Sequence, residues 1–429
     1  MKVLMFGWEF PPHISGGLGT ACYGLTKGMT SFPDMEILFV VPKAFGDEDK
    51  STIGLIGANN VYIRTNDIRI AGFMKKMQQI EVGVNLLPYV DPELYEKYST
   101  ETVHGENKFI TADFNGKFQF KGGYGTDLMQ EITNYSLVAA AIAADHKFDV
   151  IHAHDWLCYP AGIAAKYVSG KPLVIHVHAT DFDRSGGNVN PVVYDIEKRG
   201  MDAADRIITV SNLTRNIVIE KYGIAPEKVV TVYNAVEPVD YGELAKTSLR
   251  ANFDEKIVTF LGRITMQKGP EYFIEAANLV LKQMSNVRFV MAGSGDMMNQ
   301  MIRRAARLGI CDKFSFTGFL KGDDVYRMFL LSDVYVMPSV SEPFGISPLE
   351  AMQSNVPVII SRQSGVAEIL KHAVKVDFWD TQAMADAIYG ILNYPALHNI
   401  FSKQGKNEVD KLKWETSAKH VRDVYLSVI

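Results

Sequence analysis

The chain has 429 residues, 47% of them hydrophobic, enough for two cores of roughly 200 residues each, because single cores stop growing near about 250–300 residues. A formal net charge of −5 and a pI near 6.1 argue against a general nucleic-acid binder, which would carry a basic stripe. No stretch approaches the roughly 18–20 apolar residues of a membrane span, and Glu9 and Pro11-Pro12 break the apolar N-terminus before a signal-peptide core forms. Cys22, Cys158 and Cys311 are odd in number, far apart in sequence and outside metal-ligand spacing, so a cytoplasmic protein with reduced thiols is expected.

Lys2 to Phe6 reads as a short apolar strand, and Trp8 to Ser15, with its two prolines, as a loop. Gly16-Gly17-Leu18-Gly19 then opens a helix to about Met29. A glycine-rich first strand-to-helix turn can cradle a phosphate, because unpaired N–H groups and the helix dipole face the anion. Cys22 occupies the place of the third glycine in a dinucleotide fingerprint. Strands are expected at 36–41 and 61–64. Arg69 to Met77 reads as a loop or hairpin with solvated lysines, or as a surface that touches a membrane. Asp91 to Gly125, polar and rich in glycine and aromatics, reads as an insertion near a site entrance.

Asp127 to Ala144 is helical by its apolar spacing, and the strand 149–152 follows. His152-Ala153-His154-Asp155-Trp156 falls at that strand's carboxyl end, where ligand-reading residues gather in an open α/β sheet. His152 continues the strand and reads as a satisfied, partly buried residue. A further strand at 172–176 runs into His176-Val177-His178 and Asp181-Phe182-Asp183. The paired aspartates have a spacing that can hold a divalent cation on a diphosphate, although a place near an acceptor suits Asp181 better. Strands at 207–210 and 229–233 complete this half.

Glu237 to Asp254 is polar and fits a linker. Strands at 257–261, 287–292, 314–317, 334–337, 356–360 and 374–376 then alternate with helices, a rhythm that demands a parallel sheet covered on both faces. Two of the loops concentrate charge. Gly262-Arg263 through Lys268-Gly269 supplies two cations, and Ser339 to Met352 supplies Glu342 on the loop and Glu350 in the following helix. Together they would line one cleft with cations for phosphate and carboxylates for sugar hydroxyls. Gly293-Ser294-Gly295 offers a second close-approach turn, and Phe319-Leu320 could present backbone groups to a nucleobase. Trp414 to Ile429 is amphipathic.

The ordered set of the glycine loop, His152 to Trp156, Gly262-Arg263 with Lys268-Gly269, and Glu342 and Glu350 around Pro343-Phe344-Gly345 resembles the retaining GT-B glycosyltransferases, which include glycogen and starch synthases, over essentially the whole chain. The resemblance implies an α/β fold of two Rossmann-like doubly wound domains facing across an interdomain cleft. Residues 1–236 would form the acceptor-side domain, 237–412 the nucleotide-sugar domain, and 413–429 a helix crossing back to the first. It also implies transfer of a hexosyl group from a nucleoside diphosphate sugar with retained anomeric configuration. His154, Arg263, Lys268 and Glu342 would be catalytic, with the two cations neutralising the leaving diphosphate in place of a metal. Gly16, Gly17, Leu18, Gly293, Leu320, Phe344, Gly345, Ile346, Ser347 and Glu350 would bind the donor, Glu350 through the ribose hydroxyls. Tyr124, Asp155 and Asp181 would face the acceptor.

Within that family, glucosyl transfer from ADP-glucose or UDP-glucose to the non-reducing end of an α-1,4-glucan leads, with no cofactor or metal beyond the co-substrate. Transfer to a small sugar, a sugar phosphate or a surface-polysaccharide or lipid-linked precursor is the alternative. The synthases usually carry a lysine two residues before the glycine pair, and Ile14 stands there. Stable membrane insertion and nucleic-acid binding are not expected, and self-association is left open. A nicotinamide-dependent oxidoreductase would leave the set of Arg263, Lys268, Glu342 and Glu350 unexplained. A pyridoxal phosphate phosphorylase would show a visible absorption band, and a nucleotide-sugar sensor would release no nucleotide.

Overall fold

The computed structural model describes residues 1–14, 16–49, 53–64, 70, 73, 115–125, 127–239 and 254–429. The chain divides into two units: Met1–Asp181 with Asn188–Asn234 and Trp414–Ile429, and Phe182–Gly187 with Ala235–Lys413.

The first unit is built on a seven-stranded parallel sheet. Its strands are β1 (Lys2–Phe6), β2 (Glu36–Val41), β3 (Gly54–Gly57), β6 (Val150–His154), β7 (Leu173–Val177), β8 (Arg206–Thr209) and β9 (Val229–Thr231), in the order β3-β2-β1-β6-β7-β8-β9. β4 (Ile63–Arg64) and β5 (Asn115–Gly116) form a separate antiparallel pair. Strands buried on both faces read as continuous apolar runs, and Val3 to Phe6 are wholly enclosed. The helices are α1 (Gly17–Met29), α2 (Leu128–Asp145), α3 (Tyr159–Ser169), α4 (Asp181–Ser185), α5 (Pro191–Ala203) and α6 (Asn212–Tyr222). Asn190 and Ser211 cap α5 and α6 through side-chain acceptors, and Gly170 and Gly223 end α3 and α6 in the left-handed region. Tyr135 of α2 donates to the carbonyls of Gly7 and Val40, tying that helix beneath the central strands.

The C-terminal helix Trp414–Leu426 belongs to this unit and packs on α1. Gly24 and Gly28 make the approach close. A Cβ on Gly24 would lie 2.3 Å from the Trp414 ring, and one on Gly28 2.6 Å from the Trp414 carbonyl oxygen. Ser417 donates to the Tyr233 carbonyl at 2.6 Å, and Arg422 to Asp34 at 2.6 Å.

The second unit has a six-stranded parallel sheet, β12-β11-β10-β13-β14-β15, formed from β10 (Lys256–Leu261), β11 (Val287–Ala292), β12 (Phe314–Gly318), β13 (Val334–Met337), β14 (Val358–Ser361) and β15 (Val374–Val376). It is flanked by α7 (Pro270–Leu281), α8 (Met298–Arg307), α9 (Asp323–Leu331), α10 (Ser347–Gln353), α11 (Thr381–Asn393) and α12 (Pro395–Val409). Val258, Phe260, Phe273, Phe289, Val336 and Ile359 centre its core. Among the described residues no helix is long and apolar enough to cross a membrane.

Several boundaries move. The strand expected at 61–64 shortens to Ile63–Arg64, because Val61 closes a turn onto the Ala58 carbonyl. β6 continues to His154 because its ladder with β7 pairs His154 with His176. β9 ends at Thr231, and β14 starts at Val358 because Val356 N–H turns back to the Ala351 carbonyl. Residues 182–187, expected with the first domain, belong to the second unit, where Ser341 Oγ donates to Asp183 at 2.6 Å. Most of the expected stretch Arg69 to Met77, insertion Asp91 to Gly125 and linker Glu237 to Asp254 lies outside the described residues.

Gly28→Ala should therefore destabilise the chain. Its helix-propensity gain of about 1 kcal/mol is set against an overpacking cost of about 1–3 kcal/mol, with rigid backbone as the obstacle. Gly390→Ala, whose Cβ would meet, among the described residues, only Leu397 at 3.7 Å, should instead stabilise α11. Thermal melts of both variants check the opposite signs.

Candidate active site

In each sheet the first strand has its chain successors on one side and later strands on the other. In the second unit that reversal falls between β10 and β13, which are neighbours in the sheet. Loops leaving the two carboxyl ends splay apart at such a switch point and leave a crevice for a ligand.

The loop after β10 is held from beneath. Gly262 N–H donates to the Ala292 carbonyl and Ile264 N–H to the Ser294 carbonyl. The turn Met266–Lys268 ends at Gly269, in the left-handed region with φ +64°, where a Cβ would sit 2.1 Å from the Pro338 carbonyl oxygen. Only glycine lets the loop after β13 come this near. Val340 N–H then donates to the Gln267 carbonyl at 2.8 Å.

This closure brings the Lys268 ammonium onto Glu342 Oε2, which also accepts from Ser339 Oγ at 3.2 Å. The Glu342 backbone is fixed on both sides, its N–H to Gln363 and its carbonyl to Gly365 N–H, each at 2.9 Å. The Lys268 side chain is 22% exposed and that of Glu342 9%. Among the described residues Lys268 makes one contact with its three N–H bonds, leaving two for a ligand, and Glu342 Oε1 accepts no hydrogen bond. Arg263 stands exposed on the same loop.

Beneath the pair, the Tyr335 hydroxyl donates to the Leu261 carbonyl at 3.2 Å and hydrogen-bonds Ser347 Oγ at 2.8 Å, joining β10 to the start of α10. Glu350 lies in the first turn of α10, and its carboxylate has no protein partner among the described residues. Burial pushes its carboxyl up to about 7. Phe344 is buried, and its carbonyl accepts from Val366 N–H. Gly345 adopts φ +100° against Met337, and the Ile346 carbonyl opens α10 by accepting from Leu349 N–H.

Two expected donor residues have other work. The Gly293 N–H is taken by the Gly318 carbonyl at 2.8 Å, and a Cβ there would lie 1.8 Å from the Gly262 carbonyl oxygen, so its glycine lets two loops pack. Leu320 packs on a small cluster of Ile257, Val290, Ala292 and Met328.

In the first unit the reversal falls between β1 and β6. Gly16 caps α1 in an extended conformation, and among the described residues nothing lies within 4 Å of a Cβ built on Gly16 or Gly17. Leu18 is partly buried, and Gly19 packs against Ile14. His154 ends β6 but is fully enclosed, with its ring against His152, His176, His178 and Phe39. The contact with a sugar that the resemblance implies is therefore closed to it in this structure; the outermost of these rings is the half-buried His178. Asp155 adopts φ +59°, and its carboxylate accepts from His178 N–H at 2.9 Å and Ala179 N–H at 3.2 Å. It thus braces the loop after β7. Asp181 accepts from Asn190 N–H at 2.6 Å while Asp183 accepts from Ser341, so the two aspartates serve different partners. Tyr124 is partly buried in the turn before α2.

Sequence comparison fits this geometry. The profile described as Glycosyl transferases group 1 matches residues 243–408, and that of Glycosyltransferase Family 4 matches 126–239. The Bacillus subtilis (strain 168) protein YtcC, whose name places it among glycosyltransferases, is 30% identical over 307 residues, covering 66% of this chain and 73% of that one. The chain belongs to the group 1 glycosyltransferases. This glycosyltransferase is also 28% identical over 443 residues to the uncharacterized glycosyltransferase MJ1607 of Methanocaldococcus jannaschii, covering 99% and 98% of the two chains. It is 23% identical over 436 residues to the glycogen synthase of Mycobacterium tuberculosis, covering 100% and 95%. Its fold is GT-B, matching the sucrose-phosphate synthase structure from Thermosynechococcus elongatus with a TM-score of 0.70 at 17% identity over 99% and 98% of the chains. Anabaena HepE, solved with UDP and glucose, matches with a TM-score of 0.67 at 15% identity over the full length of both.

Sequence reasoning missed Tyr335, Ser339 and His178. The first two looked like ordinary strand and loop residues, and the paired His-x-His spacing was visible without its register.

Glu350 gives this glycosyltransferase a pH signature. Its folded-state carboxyl titrates near 7 against an ordinary value of 4.5, so the unfolded chain releases that proton first. Its contribution favours the fold at low pH, declines as pH rises from about 4.5 to about 7, and is level above that. Glu350→Gln should gain stability relative to the parent between pH 5 and 8, read from urea midpoints; a constant difference would mean the carboxyl is solvated.

Proposed function

We propose that this glycosyltransferase moves glucose from ADP-glucose or UDP-glucose to the non-reducing end of an α-1,4-glucan, with retention and without a catalytic metal. The observation that carries the reading is the Lys268–Glu342 pair, which among the described residues leaves two ammonium N–H bonds and one carboxylate oxygen open, with Glu350, also without a described partner, in the helix that follows. Lys268 and Arg263 would take the charge growing on the departing diphosphate, a preorganised electrostatic effect that avoids a divalent ion. Glu350, once ionised, would accept from the ribose hydroxyls, and Glu342 from hydroxyls of the sugar ring.

A double displacement through Glu342 is disfavoured. An ion-paired carboxylate that also accepts from Ser339 is a weak nucleophile, so the acceptor hydroxyl would attack on the face the diphosphate leaves. The open space beside Gly16 and Gly17 suits the close approach of a ligand, and His154 would act only from the enclosed wall behind that loop. The glucan acceptor is supported by the full-length likeness to a glycogen synthase. A small sugar phosphate is the second reading. It is favoured by relatives named D-inositol 3-phosphate glycosyltransferase, 26% identical over 300 residues in Saccharomonospora viridis, and by Ile14 in the place of the synthase lysine.

Purified protein incubated with a panel of nucleotide sugars, with glycogen or sugar phosphates, should release nucleotide with glycogen and a glucosyl donor, unchanged by brief EDTA. Lys268→Ala and Arg263→Ala should each lower kcat by about 10²–10³-fold, the usual cost of removing one charge-stabilising donor. Release only with sugar phosphates selects the second reading, and complete loss in EDTA would move the chemistry to a metal on Asp181 and Asp183.

A further inference from the structure

Two neighbouring strands of the first unit each carry a His-x-His pair at the carboxyl end: His152 and His154 on β6, His176 and His178 on and just beyond β7. Residues two apart on a strand share a face, and the ladder sets His154 opposite His176, so all four imidazoles project from one side of the sheet. They form a continuous stack. Ring centroids lie 4.2 Å apart for His152 and His154, 5.3 Å for His154 and His176, and 4.4 Å for His176 and His178.

His152, His154 and His176 are at most 2% exposed. Four of their ring nitrogens are buried without a hydrogen-bond partner among the described residues: Nε2 of His152, Nε2 of His154 and both nitrogens of His176. Each such atom costs about 1–3 kcal/mol, and native folds account for them with an ordered water or an ion.

The three rings also converge: one nitrogen from each lies within 4.8 Å of the others. In two of these rings one nitrogen is already engaged. His152 Nδ1 bonds the Tyr425 hydroxyl of the C-terminal helix, and His154 Nδ1 bonds His178 Nε2 at 2.9 Å. Metal-ligating histidines have this arrangement, one nitrogen oriented by a hydrogen bond and the other left for the ion.

We propose that His152, His154 and His176 bind one divalent transition-metal ion, of the zinc type, as a structural site within the first unit. Neutral imidazole suits zinc, copper, iron or nickel, while magnesium and calcium prefer oxygen. Burial keeps all three rings neutral, the form that ligates. The ion would clamp β6 to β7 and, through Tyr425, reinforce docking of the C-terminal helix. Its role is structural, and the proposal does not depend on the proposed reaction. A second set, Cys22 with His154 and His178, also converges, but His154 and His178 spend nitrogens on each other there, leaving fewer for an ion.

The test is the metal content of the full chain, expressed with zinc, purified without a metal-charged resin and dialysed, then repeated after unfolding and refolding with zinc. About one zinc per chain is expected, as is a melting temperature above that of protein refolded with a chelator. Cobalt in its place should give the visible bands of a four-coordinate nitrogen site. His176→Phe should abolish binding, Tyr425→Phe should weaken it about 10–100-fold, and Cys22→Ser should leave it unchanged. If His176→Phe misfolds, the stoichiometry and cobalt spectrum of the parent chain decide. Less than a tenth of an equivalent under both loading conditions, with equal melting temperatures, would overturn the proposal in favour of trapped water, and loss of metal in Cys22→Ser would overturn the ligand set.

Discussion

The site depends on one ion pair. Lys268 and Glu342 come from loops that follow neighbouring strands, and they meet only because glycine at 269 lets the backbone after β13 pass within contact of the turn after β10. Withdrawing two charges from water is costly, and removing one partner of a buried pair costs about 3–5 kcal/mol because the other charge is stranded. Here the cost is partly met by Ser339 and by the small exposure that Lys268 retains. That exposure leaves the ammonium able to exchange part of its bond to Glu342 for a ligand oxygen. A cation already positioned, and already neutralised, needs little reorganisation when negative charge arrives.

Around this pair the second unit is rigid where the ligand would sit. Tyr335 joins the end of β10 to Ser347, Gly293 lets the loops after β10 and β11 interlock, and Glu342 is bonded through its backbone to the loop after β14. Glu350 is the exception, a partly buried carboxyl with no protein partner among the described residues, raised by desolvation rather than by a neighbouring charge. The first unit follows the same plan with different chemistry. Its switch point carries glycines at the start of α1 and an imidazole stack at the ends of β6 and β7, with Asp155 bracing the loop after β7.

Much of this was legible in the sequence. Apolar runs between glycine-rich loops located the strands of both sheets except β3, because parallel strands buried on both faces carry little polar alternation, whereas the short Gly54–Gly57 edge strand has glycine at both ends and only two apolar residues. The residues of the ion pair were identifiable because charges cluster on loops leaving buried strands. What remained illegible depends on register and close contact, which no spacing encodes. Gly293 looked like a ligand turn, yet its glycine is required by the Gly262 carbonyl. His154 read as a ligand contact just past a strand end, but the ladder runs two pairs further, through His154, and the ring is enclosed. Gly24 and Gly28 gave no sign that they receive Trp414, nearly four hundred residues on.

The most direct measurement is a crystal structure of this chain with a bound nucleoside diphosphate. The account predicts phosphate oxygens within hydrogen-bond distance of the Lys268 ammonium and the Arg263 guanidinium, with the ribose hydroxyls on Glu350 and no metal between protein and phosphate. A diphosphate held by a divalent ion on Asp181 and Asp183, with the Lys268–Glu342 pair undisturbed, would contradict it.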